Sequence, residues 1–174
     1  MKIYLGADHA GFKLKEQVKK YLTNSGYEIL DLGAKKFIKN DDYPDYARKV
    51  AEHVRSARSS TTELPACAKA TARQAKMAKL RNQKDVFGIL FCGSGQGVSI
   101  AANKIKGIRA VAVSNSRDAK MTRQHNDANV LCLSGWELSF DKAKKIIATF
   151  LNTPFSKEKR HLRRLKKIQQ LEKF

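Results

Sequence analysis

The chain has 174 residues, of which 42% are hydrophobic, enough for one globular domain with a full core. No apolar stretch reaches the roughly 18 residues that span a bilayer, and the N-terminus lacks the layout of a signal peptide. The net charge of +19 favours anionic partners and keeps a nucleic-acid-binding protein as an alternative, although a solvated basic surface accounts for most of the scattered lysines. Cys67, Cys92 and Cys132 lack metal-site spacing and favour a reducing cytoplasm over a disulfide framework.

Short apolar runs alternate with helical patterns along the chain. The predicted strands are Lys2–Gly6, Tyr27–Leu32, Val86–Phe91, Ile108–Val113 and Asn129–Leu133. The predicted helices are His9–Asn24, Asp45–Ala57, a segment from Val98 and Ser99 to Lys104, Arg117–Gln124, Phe140–Leu151 and a basic tail, Phe155–Phe174. This alternation predicts an α/β fold: a five-stranded parallel sheet with helices on both faces, as in Rossmann-like or flavodoxin-like three-layer sandwiches. The flavodoxin-like strand order 2-1-3-4-5 places a ligand beyond the carboxyl ends of strands 1 and 3.

One segment, residues 58–84, interrupts the alternation. Its Ser/Thr cluster and Pro65 mark a loop, and the alanine- and lysine-rich stretch Ala66–Leu80 predicts an added helix. The segment is longer than the usual connection between a helix and a strand. Beyond Glu63 it carries six basic residues: Lys69, Arg73, Lys76, Lys79, Arg81 and Lys84. We interpret it as a basic surface insertion, suited to an interaction helix, within a single domain of residues 1–174.

A glycine-rich turn, CGSGQG at residues 92–97, separates the third strand from the next helix. Such a turn lets backbone N–H groups converge on an anion or a developing oxyanion. Cys92 stands at its entrance, where a thiolate can act as a base or a nucleophile. The glycine spacing matches neither the dinucleotide fingerprint nor the P-loop. The alternative for Cys92 is a small buried hydrophobe.

Other polar groups fall near the ends of predicted elements. Asp8 and His9 follow strand 1, at the same switch point as Cys92, and can contact phosphate or move protons, although Asp8 can also cap a helix. His125 follows strand 4 and can simply interact with the helix dipole. Arg160 and Arg164 share one face of the last helix and can grip a phosphate, unless that face is only solvated.

Five segments, in this order and spacing, resemble those of ribose-5-phosphate isomerase type B, in the superfamily shared with the galactose-6-phosphate isomerase subunits. They are GADHAG at 6–11, DYPDYA at 42–47, FCGSGQGVSIAANKIKGIRA at 91–110, RQHNDANVLCLSG at 123–135 and RHLRR at 160–164. The resemblance covers nearly all of the chain outside 58–84. It implies an aldose–ketose isomerase of the pentose phosphate pathway, without cofactor or metal, that interconverts ribose 5-phosphate and ribulose 5-phosphate through an enediolate. It also implies a homodimer, or a dimer of dimers, with the site shared between subunits.

The resemblance assigns roles residue by residue. It makes Cys92 the base and His125 the acid that opens the furanose ring, with Ser94 assisting proton movement between oxygens and Asp8 among the catalytic residues. The backbone from Gly93 to Gly97 becomes the oxyanion site. The substrate and phosphate contacts that it implies are Asp8, His9, Tyr43, Gly93, Ser94, Gly95, Gln96, Gly97, Asn126, Arg160 and Arg164.

The chain departs from the family pattern at Trp136 and in the insertion. Val98 stands where some members carry a glutamate base, so the chain resembles the cysteine-dependent branch. Trp136 stands where an arginine commonly helps to bind phosphate, which leaves phosphate affinity and the exact sugar phosphate open. The alternatives are therefore a six-carbon isomerase acting on galactose or allose 6-phosphate, or a basic nucleic-acid or interaction protein on an isomerase scaffold. No membrane partner is expected, and a nucleic-acid partner is the weaker expectation.

Overall fold

The computed structural model describes residues 1–59 and 86–172, and the predicted alternation of strands and helices is confirmed there. The strands are β1 (Lys2–Ala7), β2 (Glu28–Asp31), β3 (Val86–Cys92), β4 (Ala110–Ala112) and β5 (Val130–Ser134). The described helices are α1 (Phe12–Asn24), α2 (Tyr43–Ser59), α3 (Gln96–Ala102), α4 (Ser116–Asn126), α5 (Phe140–Asn152) and α6 (Lys159–Leu171). The helix predicted at Ala66–Leu80, the basic residues of the insertion and Cys67 lie outside the described residues. Within the described ranges, no helix is both long and apolar enough to cross a membrane.

All strand pairs run parallel in the order β2-β1-β3-β5-β4, so the expected order 2-1-3-4-5 is wrong at one edge of the sheet. The two strands differ in length and burial. All five positions of β5 are buried, whereas β4 has only three residues and two of them are partly exposed. A fully apolar strand suits the interior of a parallel sheet, and a very short one suits an edge. The switch point between β1 and β3 is unaffected by the exchange.

Both faces of the central strand β3 are covered, which explains its continuous apolar sequence. Phe87 and Phe91 pack in the core layer that includes α1 and α5. Leu90 packs on the other face, against α2 and α3. Between these, Gly88 lets α2 approach closely, since a Cβ there would lie 2.8 Å from the Val50 side chain. The sheet therefore forms the middle of three layers, with its carboxyl edge left open for a site.

A buried lysine, which the helical pattern does not predict, ties α1 to the end of β2. Lys15 is fully buried, and its Nζ donates to Asp31 Oδ2 at 2.7 Å and to the Ala34 carbonyl at 3.2 Å. Lys19 Nζ donates to the same Asp31 oxygen at 2.8 Å, and Glu16 Oε1 lies 2.6 Å from Lys15 Nζ. This network anchors the start of segment 32–42, which leads from β2 to α2.

Replacing Asp31 tests the strength of this network. Burial alone would raise the pKa of Asp31, but hydrogen bonds from Lys15 and Lys19 outweigh it and hold the pKa below its usual value. Asp31→Asn should lower the free energy of unfolding by about 2 kcal/mol at pH 7, because Lys15 stays buried with a weaker partner. Since the folded-state pKa is depressed, this stabilisation is present above the unfolded pKa, near pH 4, and is lost as pH falls through the folded pKa.

Urea denaturation at pH 7 and pH 3 measures the free energy of unfolding of both proteins. The difference in this free energy between wild type and Asp31→Asn should be smaller at pH 3 than at pH 7. Asp141→Asn is the control, because Asp141 pairs with Lys144 at an exposed position and should change nothing measurable. A similar loss in both variants at pH 7 would contradict the account of the buried network.

Candidate active site

The ends of β1 and β3 place Asp8 and Cys92 side by side at the carboxyl edge of the sheet. Ala7 pairs with Phe91 in the ladder, and the Asp8 N–H donates to the Phe91 carbonyl at 3.4 Å. Both side groups are buried, with Asp8 5% and Cys92 4% exposed. The structure thus brings together the two groups that the predicted switch point places near each other.

The glycine-rich turn after β3 aims a backbone donor at the thiol. Gly95 N–H donates to Cys92 Sγ at 3.1 Å. The turn needs glycine here, because Gly95 has φ +79°, in the left-handed region. Two bonds from the end of β5 hold the turn: Ser134 Oγ donates to the Gly93 carbonyl at 2.7 Å, and Gly135 N–H donates to the Cys92 carbonyl at 2.8 Å. These contacts fix the Cys92 side chain at the entrance of the turn.

Two aromatic rings lie against this turn. A Cβ at Gly97 would lie 2.7 Å from Tyr43 Cζ, and a Cβ at Gly93 would lie 2.5 Å from Trp136 Cζ2. Tyr43 is 39% and Trp136 75% exposed. Ser94, between the two glycines, is exposed. The turn is therefore open to solvent at its serine and bordered by two rings that can contact a ligand.

Asp8 is held in place by the chain that follows it. Its Oδ1 accepts the Gly11 N–H at 3.0 Å, so it does satisfy a backbone donor before α1, as the capping alternative expects. Burial raises the pKa of Asp8 and outweighs the lowering effect of that hydrogen bond. The carboxyl beside Cys92 therefore takes up a proton more readily than an exposed aspartate.

His9 has a carboxylate partner that sequence reasoning missed. Its Nδ1 lies 2.8 Å from Asp41 Oδ1, and its backbone N–H donates to the same oxygen at 2.7 Å. The hydrogen bond that the His9 ring makes to the Asp41 carboxylate is the main cause of the raised pKa of His9. The only signal in the sequence is a second acidic residue before DYPDYA, and it gives no indication of a contact 32 positions away.

A second polar cluster gathers around the end of α4. The His125 ring centroid lies 4.5 Å from that of His161, which is buried and which sequence reasoning also missed. His161 Nδ1 lies 2.8 Å from Ser156 Oγ, and burial lowers the pKa of His161. Arg160 is exposed, with its Nε 2.8 Å from Glu158, and Arg164 lies exposed one turn further along α6.

The two clusters lie at opposite ends of the strands. Asp8 and Cys92 lie at the carboxyl ends, and His125 lies at the amino ends. Helix α4 starts after the carboxyl end of β4 and returns toward the amino edge over 11 residues, or about 16 Å. At its end, the Asn126 carbonyl accepts from Arg109 Nε at 2.9 Å, just before β4 begins. His125, Asn126, Arg160 and Arg164 are thus at the amino edge, and one chain does not bring them to Cys92.

Comparisons with known proteins place the chain in a family. The family model described as Ribose/Galactose Isomerase matches residues 3–68 and 56–168. The chain is 35% identical over 171 residues to ribose-5-phosphate isomerase B of Escherichia coli, covering 98% of this chain and 96% of that protein. It is 34% identical over 165 residues to the enzyme of the same name from Mycolicibacterium paratuberculosis, covering 95% of this chain and 87% of that protein.

Solved structures give the same result. Ribose-5-phosphate isomerase B of Clostridium thermocellum matches with a TM-score of 0.80 and 39% identity, covering 99% of this chain and 98% of that one. The Mycoplasma genitalium enzyme, solved with bound ribulose-5-phosphate, matches with a TM-score of 0.79 and 36% identity, covering 99% and 96%. Sequence and fold agree, and the chain belongs to the ribose/galactose isomerase family.

Proposed function

We propose that this protein is a ribose-5-phosphate isomerase of type B, which interconverts ribose 5-phosphate and ribulose 5-phosphate. The observation that carries the proposal is the Cys92 thiol, held by the Gly95 N–H beside the buried carboxyl of Asp8. Type B isomerases related to this chain over nearly its whole length support the substrate. So does the Mycoplasma genitalium relative, whose structure holds ribulose-5-phosphate.

The isomerisation needs a base and an oxyanion site, and the cysteine turn supplies both. Cys92, as thiolate, removes the proton from C2 of the open-chain aldose, and the electron pair moves onto O1 to give the enediolate. Backbone N–H groups of residues 93–97 stabilise that charge. The exposed Ser94 hydroxyl moves a proton between O2 and O1, and the Cys92 thiol then returns its proton to C1. Val98 is fully buried in the core and carries no titratable group, which supports Cys92, rather than position 98, as the base.

The ring-opening acid has to come from a second copy of the chain. Because His125 lies at the amino edge of its own sheet, we infer that a partner subunit supplies it, together with Asn126, Arg160 and Arg164. Helix α6 supports this inference, since it exposes apolar side chains beside its arginines: Leu162, Ile168 and Leu171. A two-fold dimer would then hold two identical sites.

The free thiols of Cys92 and Cys132 suit the cytoplasm.

Cys92→Ser should lower kcat by about 10²–10⁴ while leaving the fold intact, because a hydroxyl is too weak an acid to supply an anionic base at neutral pH. Steady-state kinetics and circular dichroism measure the two effects. Cys132→Ala is the matched control, because burial raises the pKa of that thiol far above neutrality and it lies in the core. Near-wild-type kcat in folded Cys92→Ser would overturn the assignment of the base.

Mixing two inactive variants tests the shared site. Cys92→Ser and His125→Ala each damage both sites of their own homodimer. In a hybrid dimer, one site carries both substitutions and the other carries neither. Co-expression should therefore restore about a quarter of wild-type activity on cyclic ribose 5-phosphate, since random pairing gives half hybrids with one intact site each. Activity no higher than that of the separate variants would show that each site lies within one chain.

Gly97→Ala tests the position of Tyr43. The new Cβ would have to displace the Tyr43 ring, which lies 2.7 Å away, whereas alanine within helix α3 is favourable by about 1 kcal/mol. Thermal stability should therefore hold or rise while KM for ribose 5-phosphate increases about tenfold. In a Tyr43→Ala background the same substitution should have little further effect. An equal effect in both backgrounds would place Tyr43 away from the substrate.

A further inference from the structure

The contact between His9 and Asp41 joins two segments that the fold brings together from 32 positions apart. Asp41 Oδ1 accepts from both the backbone N–H and the ring nitrogen Nδ1 of His9, at 2.7 and 2.8 Å. The Asp41 side chain is only 7% exposed, while that of His9 is 37% exposed. A largely buried carboxylate thus fixes one edge of an imidazole whose other edge remains accessible.

The surroundings of His9 are acidic and aromatic. Asp8 adds a second negative charge that acts on the ring, and Phe37 packs edge-on with its centroid 6.4 Å away. Tyr46 lies behind Asp41, where burial and a hydrogen bond to that carboxylate raise the pKa of its hydroxyl to about 12, so it stays neutral. Asp41 and Asp8 both favour the protonated form of His9.

Among the described residues that we group at the carboxyl ends of β1 and β3, His9 is the one side chain that can carry positive charge. The carboxyl-edge cluster consists of Asp8, His9, Tyr43, residues 92–97 and Trp136, and within it every other side chain is neutral or acidic. Among the described residues, His9 Nε2 has no hydrogen-bond partner. A protonated histidine with Nδ1 engaged presents Nε2–H as a single, directed donor.

We propose that Asp41 is a positioning residue that holds the His9 ring with Nδ1–H toward itself and presents Nε2–H to the phosphate of the substrate. This inference rests on the proposed function, because it assumes a sugar phosphate in the crevice. The Asp41 charge keeps His9 cationic to higher pH than an isolated histidine. Without that charge, the cation is lost at lower pH, so phosphate binding weakens first near neutrality.

Asp41→Asn separates charge from shape, since asparagine can still accept the two hydrogen bonds. In side-chain NMR of the full-length protein, which has four histidines, the titration midpoint of His9 should move to lower pH. A His9→Gln variant assigns the resonance. KM for ribose 5-phosphate should rise about tenfold near pH 7.5 and much less at pH 6, with kcat little changed, because a charge-assisted contact to phosphate contributes mainly uniform binding. The Kd of inorganic phosphate should follow the same pH pattern.

Asp45→Asn is the matched control, because it removes the same charge from an exposed position in the first turn of α2 and should change neither readout. An unchanged His9 midpoint in Asp41→Asn, or a shifted midpoint with unchanged KM and phosphate Kd, would overturn the role given to Asp41. The proposed function fails separately, if the wild type does not turn over ribose 5-phosphate. In that case the NMR and inorganic-phosphate measurements still decide whether Asp41 positions His9 for an anion.

Discussion

The pairing of β1 with β3 is the constraint on which the candidate site depends. Its register sets Ala7 opposite Phe91, so the residues that follow, Asp8 and Cys92, reach the same edge at the same height. The turn that follows β1 packs directly against β3. Gly11 lies so near Phe91 that a Cβ at Gly11 would be 2.5 Å from Phe91 Cβ. A slip of one residue would turn Asp8 or Cys92 to the opposite face. The acid and the thiol therefore lie together because of strand pairing.

The same chain geometry separates Cys92, the proposed base, from His125, the proposed ring-opening acid. In a parallel sheet, each helix that follows a strand returns to the amino edge, so residues at a helix end and residues at a strand end lie on opposite sides. His125 lies in the last turn of α4 and Cys92 ends β3, so the described part of one subunit keeps them apart. Two-fold symmetry solves this problem, because the amino edge of one copy can face the carboxyl edge of another. The direction of the chain is therefore the reason for proposing a site that is divided between subunits.

Much of the fold follows from local sequence, and the parts that do not depend on contacts distant in the chain. Apolar runs and helical periodicity predict each described strand and helix and the β1/β3 switch point. They cannot order the strands at the edge, because the positions of β4 and β5 are decided by burial within the assembled sheet. Local sequence patterns do not predict the charged pairs either, because the partners are far apart in the chain. Lys15 contacts Asp31 across 16 positions, and Asp41 contacts His9 across 32.

The local sequence pattern predicts that Cys92 lies in a glycine-rich turn. The chemical roles of the site residues, in contrast, come only from the family resemblance. Glycine spacing alone does not distinguish an oxyanion site from a tight turn. The roles given to Cys92, Ser94 and His125 therefore remain predictions, as does the surface role of residues 58–84, most of which lie outside the described residues. Trp136, whose ring covers Gly93, stands where the family resemblance implies an arginine, so its effect on phosphate binding is a prediction as well.

The most direct test of the account is kcat/KM of the wild-type protein for ribose 5-phosphate, measured beside galactose 6-phosphate and allose 6-phosphate in one coupled assay. A five-carbon isomerase should turn over ribose 5-phosphate with the highest kcat/KM and without added cofactor. A higher value for either six-carbon substrate, or no turnover of ribose 5-phosphate by folded protein, would contradict it.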